Sequence, residues 1–316
     1  MGVPELVPYD EFGLFHENAG EYGLPYDGPP TVRRVDVEVS PGRTVSSLLW
    51  GSGPPELVLV HGGAQNAHTW DTVALALGRP LLAVDLPGHG HSDGGPEGAI
   101  SAGSNGRDLA TVIAELAPTA RGVVGMSLGG LSSIALAAHA PELVRALVLV
   151  DITPGVNAEK AAPVTNFVNG PASFDSFDEL LARTIAHNPG RSESSLRRGI
   201  LHNAVQREDG SWVWRYARFR MPDETTDATA TDTDAATIDR VAEFADWWDA
   251  VSALTVPLLL VRGLAWSVVD DDDVAELLRR QPGAVVVGVE GAGHSVQGDR
   301  PLELAAILTD FLFADT

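Results

Sequence analysis

The chain has 316 residues, enough for one elaborated α/β domain or two ordinary domains. Its 43 acidic residues outnumber the 21 basic ones and give a formal net charge of -22, which disfavours nucleic acid and anionic membrane surfaces as partners. Without cysteine there is no disulfide or thiolate chemistry, and neither a secretory leader nor a membrane-spanning apolar run is visible, so we expect a cytoplasmic protein.

Taken in chain order, the first elements predicted are two alternating segments, residues 32–39 and 44–50, which indicate an antiparallel hairpin. Continuous apolar runs typical of strands buried on both faces follow at residues 56–60, 81–85, 122–126, 146–150, 257–261 and 284–289. Helix-length segments separate most of these runs, at residues 69–77, 105–116, 128–139, 273–280 and 301–311. The alternation predicts an α/β fold with a mostly parallel, doubly wound sheet of about eight strands and helices on both sides.

The stretch between about residues 155 and 250 interrupts this alternation. It includes an acidic, Thr-rich segment, residues 223–239, that predicts a solvated loop or hinge. We interpret the whole stretch as an insertion between two strands of the sheet. The chain then divides into a first core part at 1–154 with an N-terminal extension at 1–30, the insertion at 155–250, and a second core part at 251–316.

A serine flanked by glycines ends one of the apolar runs, in RGVVGMSLGG at residues 121–130. Small residues two before and two after Ser127 let a strand turn sharply into a helix, with the serine at the apex in a strained conformation. Further reactive residue types follow other predicted strands, in HGG at 61–63, in DLPGHGHSD at 85–93, at Asp151 and at His294. Because the carboxyl ends of parallel strands meet at one sheet edge, we expect these residues to converge there.

Six stretches together resemble the motifs of the α/β-hydrolase family in order and spacing: HGGAQNAHTW, DLPGHGHSD, GMSLGG, VRALVLVDITP, PLLLVRG and GAGH. They cover about residues 45–151 and 255–314 and leave the insertion largely uninterpreted. The resemblance implies an α/β-hydrolase fold in which Ser127 is the nucleophile and His294 the general base. It also implies that the insertion is a mainly helical cap over the pocket.

The residue types also suit such chemistry in their own right. A serine hydroxyl is a poor nucleophile unless a base accepts its proton, and an imidazole that titrates near neutrality, such as that of His294, suits this task. The oxyanion that develops in the reaction needs two preorganised amide donors. We expect these to be the N–H groups of Leu128, directly after the nucleophile, and of Gly63.

A hydrolase of this kind also needs an acid that orients the histidine, as the third member of a catalytic triad. The position of this acid departs from the commoner family pattern. After PLLLVRG the chain reads LAWSVVDDDD, with Trp266 and Ser267 where an aspartate often stands. Some hydrolases of this fold carry the acid one strand earlier, so the resemblance favours Asp151. The alternative is one of the four aspartates at residues 270–273, which also suit capping of the helix that follows.

The remaining motifs concern the pocket and the loop at residues 85–93. Asp85 is expected to shape that loop, and a metal site at His89, His91 and Asp93 is the weaker alternative, so no metal and no cofactor are expected. Three tryptophans are candidates for the substrate pocket, although they could instead form the core of the cap: Trp212, Trp214 and Trp266.

These observations favour a serine hydrolase that cleaves a small-molecule carboxylic ester through an acyl-enzyme. Carbon-carbon bond hydrolase, lactonase, perhydrolase and acyltransferase activities stay open on the same scaffold, as does a non-catalytic ligand-binding role. The sequence predicts neither the natural ester nor the oligomeric state.

Overall fold

A computed structural model describes residues 6–94, 101–216 and 247–314 of the chain. The acidic segment predicted at residues 223–239 lies outside the described residues. The strands are β1 (Val32–Ser40), β2 (Arg43–Trp50), β3 (Leu57–Val60), β4 (Leu81–Val84), β5 (Gly122–Met126), β6 (Leu147–Val150), β7 (Ser173–Phe174), β8 (Ala204–Gln206), β9 (Trp212–Trp214), β10 (Leu258–Gly263) and β11 (Val285–Val289).

The helices lie between these strands for the most part. They are α1 (Phe15–Tyr22), α2 (Asp71–Leu77), α3 (Ala102–Leu116), α4 (Leu128–His139), α5 (Ala158–Val168), α6 (Phe177–His187), α7 (Glu193–Asn203), α8 (Trp247–Ser252), α9 (Asp271–Arg280), α10 (Val296–Asp299) and α11 (Pro301–Phe313). Within the described ranges, every helix is too short or too polar to cross a lipid bilayer.

The main sheet has eight strands in the order β1-β2-β4-β3-β5-β6-β10-β11. The strand β2 runs antiparallel to both of its neighbours, and the pairs from β4 to β11 are parallel. The predicted mostly parallel sheet of about eight strands is therefore confirmed. So is the predicted hairpin, because β1 pairs with β2 from Val32 opposite Trp50 onward.

Helices cover both faces of this sheet, as the continuous apolar runs predict. In β3, Val58 and Val60 point into one hydrophobic cluster, and Leu57 and Leu59 point into another. Helices α3, α4, α8 and α9 contribute to the first cluster, and α1, α2 and α11 to the second. Alternate residues of one strand thus bury opposite faces of the sheet, which explains why no polar alternation is visible in the sequence.

The insertion follows β6 and contains both helices and a small sheet. In its described part, α5, α6 and α7 lie beside a three-stranded antiparallel sheet in the order β7-β9-β8. A turn at Asp209 and Gly210 connects β8 to β9, with the N–H of Gly210 donating to the carbonyl of Arg207 at 2.9 Å. A separate hydrophobic cluster includes Phe174, Leu180 and Trp212. The insertion therefore has its own small core.

The N-terminal extension contacts both the main sheet and the insertion. Arg34 of β1 forms an ion pair with Glu11, and Arg197 of α7 forms one with Glu17 at 2.6 Å. Arg198, which is buried, pairs with Glu21 of α1. The extension thus ties α7 of the insertion to the core, a role that the sequence did not predict.

Candidate active site

Ser127 occupies the sharp turn between β5 and α4. Its backbone has φ 50° and ψ -120°, a conformation that side-chain-bearing residues rarely adopt. A Cβ at Gly125 would lie 2.5 Å from the carbonyl oxygen of Gly129, and a Cβ at Gly129 would overlap the carbonyl of Val60. The glycines around Ser127 are therefore required by the close approach of strand and helix.

Asp151 directly follows β6 and is held in a similar strained geometry, with φ 50°. Its side chain is fully buried, and its Oδ2 lies 2.8 Å from Nδ1 of His294. His294 is itself 6% exposed and follows β11 on the loop before α10. The structure therefore places an acid and a base in contact at the sheet edge that also carries Ser127.

Three further donors hold the carboxylate of Asp151. The hydroxyl of Ser267 lies 2.5 Å from Oδ1, the N–H of Gly263 lies 2.9 Å from Oδ1, and the N–H of Val268 lies 3.2 Å from Oδ2. In the sequence, Ser267 stands where the more usual acid of the family would be. The structure shows that the loop after β10 supplies donors to Asp151 in place of a carboxylate of its own.

The alternative acids at residues 270–273 lie at the start of α9. The side chain of Asp270 accepts a hydrogen bond from the N–H of Asp273 in a reciprocal capping box. Lys160 contacts Asp270 at 2.7 Å and Asp273 at 2.8 Å, and its hydrogen bond lowers the pKa of Asp270. These contacts account for both aspartates as capping and ion-pairing groups.

The two predicted oxyanion donors flank Ser127. Leu128 is the first residue of α4, and a Cβ on Gly62, the neighbour of Gly63, would lie 3.2 Å from the Cβ of Ser127. Within the described part of the chain, neither the N–H of Leu128 nor that of Gly63 is bonded to a protein acceptor. Neither amide is therefore engaged within those residues, which is a condition for the predicted role.

The loop that follows β4 is built around Asp85. Its carboxylate accepts hydrogen bonds from the N–H of Ala67 at 2.7 Å and from Arg34 at 2.8 Å. His89 uses both ring nitrogens, Nδ1 on the carbonyl of Pro87 and Nε2 on the N–H of Ala64. This arrangement supports the predicted loop-shaping role of Asp85 and leaves His89 no nitrogen to offer a metal.

His61 supports the same loop from the end of β3. Its Nε2 accepts the N–H of Leu86 at 2.9 Å, and its Nδ1 faces the carbonyl of Gly62 at 2.7 Å. Burial, reinforced by the neighbouring His89, lowers the pKa of His61 to about 3. The ring is therefore neutral and holds the HGG segment in place.

A cavity of about 750 Å³ lies at this edge of the sheet, between the core and the insertion. Ser127, His294 and Gly63 line it, together with Trp214 and Trp266. Trp266 packs edge-on against His294 with ring centroids 5.6 Å apart. The structure thus brings two of the three predicted pocket tryptophans to the candidate nucleophile and base.

Trp212 is placed differently. It is 4% exposed, packs against Phe177 at a centroid distance of 5.1 Å and belongs to the core of the insertion, outside the cavity lining. Side chains alternate along a strand, so Trp212 and Trp214, two residues apart in β9, lie on the same face of that strand. Trp214, the last residue of β9, nevertheless reaches the cavity. Trp212 therefore packs in the core of the insertion, which was the alternative to a place in the substrate pocket.

The cavity also has a cationic wall that sequence reasoning missed. Arg191 lines it, and among the described residues its ion-pair partner is Asp299, with Oδ1 4.0 Å from Nε of Arg191. Burial lowers the pKa of Arg191, since the charge is only partly compensated. Arg300 lies on the same wall and bonds only to backbone carbonyls of the described residues. No spacing rule could single out an arginine in the uninterpreted insertion.

Comparisons with known proteins agree with this architecture. A model of the alpha/beta hydrolase family matches residues 57–307. Esterase Rv0045c of Mycobacterium tuberculosis is 46% identical over 317 residues, which cover 98% of this chain and 97% of the relative. A solved structure of that esterase, at 45% identity, covers 98% of this chain and 100% of the other with a TM-score of 0.82.

A more distant relative is also similar to this chain along most of its length. The 2-(acetamidomethylene)succinate hydrolase of Mesorhizobium japonicum is 28% identical, covering 89% of this chain and 95% of its own. A solved structure of such a hydrolase, at 26% identity, covers 89% of this chain and 99% of the other with a TM-score of 0.74. By motif, topology and similarity along nearly its whole length, the chain belongs to the α/β-hydrolase family.

Proposed function

We propose that the protein is a serine hydrolase that cleaves a small-molecule carboxylic ester through an acyl-enzyme on Ser127. The observation that carries this proposal is the 2.8 Å contact between buried Asp151 and His294, which lines the same cavity as the strained Ser127. A relative that is 46% identical over nearly the whole chain is an esterase, which supports the same chemistry.

In the first half of the reaction, His294 takes the proton of the Ser127 hydroxyl as its oxygen attacks the ester carbonyl. Asp151 orients the imidazole through Nδ1 and stabilises its charged form. The bond to the alcohol then breaks, and His294 returns the proton to the departing oxygen. An acyl group remains on Ser127.

In the second half, a water molecule takes the place of the alcohol. His294 removes its proton while the oxygen attacks the acyl carbon. The tetrahedral intermediate then collapses by breaking the bond between the acyl carbon and Oγ of Ser127, which releases the acid, and His294 returns the proton to Oγ. In both halves the N–H groups of Gly63 and Leu128 would donate to the oxyanion. Losing one such donor typically costs about 100-fold in kcat.

We further propose that the predicted division of the chain has a functional meaning, with residues 155–250 acting as a cap. The separate core of the insertion and its contribution of Trp214 and Arg191 to the cavity support this view. Substrate selection would then depend on the insertion, whereas bond cleavage would depend on the core.

The proposal is tested by hydrolysis of p-nitrophenyl acetate, butyrate and octanoate by wild type and Ser127→Ala. Wild type should turn over at least one ester and become labelled by a fluorophosphonate, with the added mass on the peptide that contains Ser127. Ser132→Ala, also in α4 but bonded to the carbonyl of Leu128, is the matched control and should keep activity. Labelling elsewhere, or equal turnover by Ser127→Ala, would exclude this nucleophile.

A further inference from the structure

A second buried polar cluster lies where the N-terminal extension, the core and the insertion meet. It consists of His68, in the 3-10 turn just before α2, Asp71, the first residue of α2, and His202, near the end of α7. The three residues are 8%, 1% and 4% exposed, and all three line the cavity. None of them takes part in the proposed hydrolysis.

The cluster holds polar atoms that are close together but incompletely paired. Oδ2 of Asp71 lies 2.9 Å from Nδ1 of His68 and 3.8 Å from Nε2 of His202. Within the described residues, Nε2 of His202 and Oδ1 of Asp71 are buried without a hydrogen-bond partner. Burying an unpaired polar atom costs free energy, and here two such atoms belong to neighbouring side chains that line the cavity, where a ligand could satisfy them.

The outer nitrogen of each imidazole is already held by the N-terminal extension. Nε2 of His68 lies 3.2 Å from Oε1 of Glu11, and Nδ1 of His202 lies 2.8 Å from the hydroxyl of Tyr9. Histidines that bind a metal usually donate their other ring N–H to such an oxygen, which fixes the ring and the tautomer. Here the fixed nitrogens leave Nδ1 of His68 and Nε2 of His202 facing Asp71.

We propose that His68, Asp71 and His202 form a site for a divalent transition-metal ion of the Zn²⁺ class. One potential ligand atom from each residue lies within 4.8 Å of the other two. Two imidazole nitrogens and one carboxylate suit Zn²⁺ or Co²⁺, and water in the cavity can fill the remaining position. The ion would replace the proton that His68 shares with Asp71.

Coordination would also change the cluster in a defined way. The rings of His68 and His202 are stacked, with centroids 3.8 Å apart and planes at 10°. A nitrogen lone pair lies in the plane of its ring, so the two planes must open for both to reach one ion. The ion would then join the extension, the core and α7 through bonds stronger than the present stacking.

The experiment uses the full chain and Co²⁺ or Zn²⁺ alone. Co²⁺ should bind one per chain with the intense visible bands of a low-coordinate site, and crystals soaked in Zn²⁺ should show an anomalous peak between the three side chains. His202→Gln should weaken Co²⁺ binding by at least about 10-fold, and Tyr9→Phe, which removes only the outer hydroxyl, by about 10-fold. His139→Gln, an exposed histidine of α4, is the matched control and should bind like wild type.

Thermal unfolding without metal shows whether each variant is folded before its binding is compared. If His202→Gln does not fold, the anomalous peak in wild type decides alone. A peak elsewhere, for example at His294, no bound ion, or equal binding by a folded His202→Gln would each overturn the proposal. The cluster would then be a purely structural ion network.

Discussion

Replacing Ser267 with alanine removes one of four hydrogen bonds that the structure directs at the carboxylate of Asp151. The lost bond is the shortest, at 2.5 Å, and it acts on Oδ1, whereas His294 faces Oδ2. A hydrogen bond to a charged group contributes about 1.5–3 kcal/mol. We expect Ser267→Ala to lower the free energy of unfolding by about that amount, since alanine keeps the Cβ and opens almost no cavity.

The effect on catalysis should be smaller than that of losing Asp151, the proposed acid. Oδ1 keeps the N–H of Gly263 at 2.9 Å, so the carboxylate is loosened and His294 is held less firmly. We expect kcat to fall about 10-fold, equivalent to about 1.4 kcal/mol. Asp151→Asn should cost about 10⁴-fold, because it supports the wrong imidazole tautomer as in other triads.

The assay is steady-state hydrolysis of p-nitrophenyl butyrate, with urea unfolding of the same preparations. Asp270→Asn is the matched control, since it removes a carboxylate from the same loop that caps α9 and does not contact His294 in the structure. Unchanged kcat and unchanged stability in Ser267→Ala would refute the reasoning. So would a larger loss in Asp270→Asn than in Asp151→Asn.

Three further outcomes can be measured on the same protein. Gly90→Ala should lower the free energy of unfolding by about 3 kcal/mol, because its φ is 54° and a Cβ there would overlap the carboxylate of Asp85. Gly78→Ala, with φ 58° and open space, should cost only about 1 kcal/mol in the same urea titration. The pKa of His61 is lowered from 6.5 to about 3, so its contribution to stability is complete above pH 6.5 and is lost as the pH falls toward 3. Lowering the pH from about 7.5 to 5.5 should therefore reduce the free energy of unfolding of wild type by about 1.4 kcal/mol through His61, and His61→Asn should not show this loss. The same dependence of the free energy of unfolding on pH in both proteins would contradict this expectation. Arg191 lines the cavity and could pair with a carboxylate of the substrate, so Arg191→Met should raise KM about 10-fold for a mono-p-nitrophenyl dicarboxylate and leave KM for the neutral p-nitrophenyl butyrate unchanged. An equal change of KM for both esters would exclude recognition of a substrate carboxylate by Arg191.

Sequence patterns in this chain are informative wherever the constraint is local. The glycines around Ser127 predict the turn because only the absence of a Cβ lets β5 and α4 approach closely. The apolar runs predict the strands of a sheet buried on both faces, and their order predicts which loops share one edge. These local constraints explain why the fold class predicted from the sequence agrees with the structure.

Features that depend on distant residues were not accessible in the same way. The contact of Asp151 with Ser267 joins positions 116 residues apart, and it exists because β6 and β10 are neighbours in the sheet. The different surroundings of Trp212 and Trp214 depend on how the insertion packs on the core.

By itself, then, the sequence determined the sheet, the strained serine and the set of residues at its carboxyl edge, since close packing and strand burial leave local traces. Tertiary structure decided which aspartate contacts His294, which aromatic rings line the cavity, and that Glu11 and Tyr9 reach His68 and His202. Those contacts are made between elements whose mutual placement is set by the packing of the whole chain, and packing has no short-range signature in a sequence.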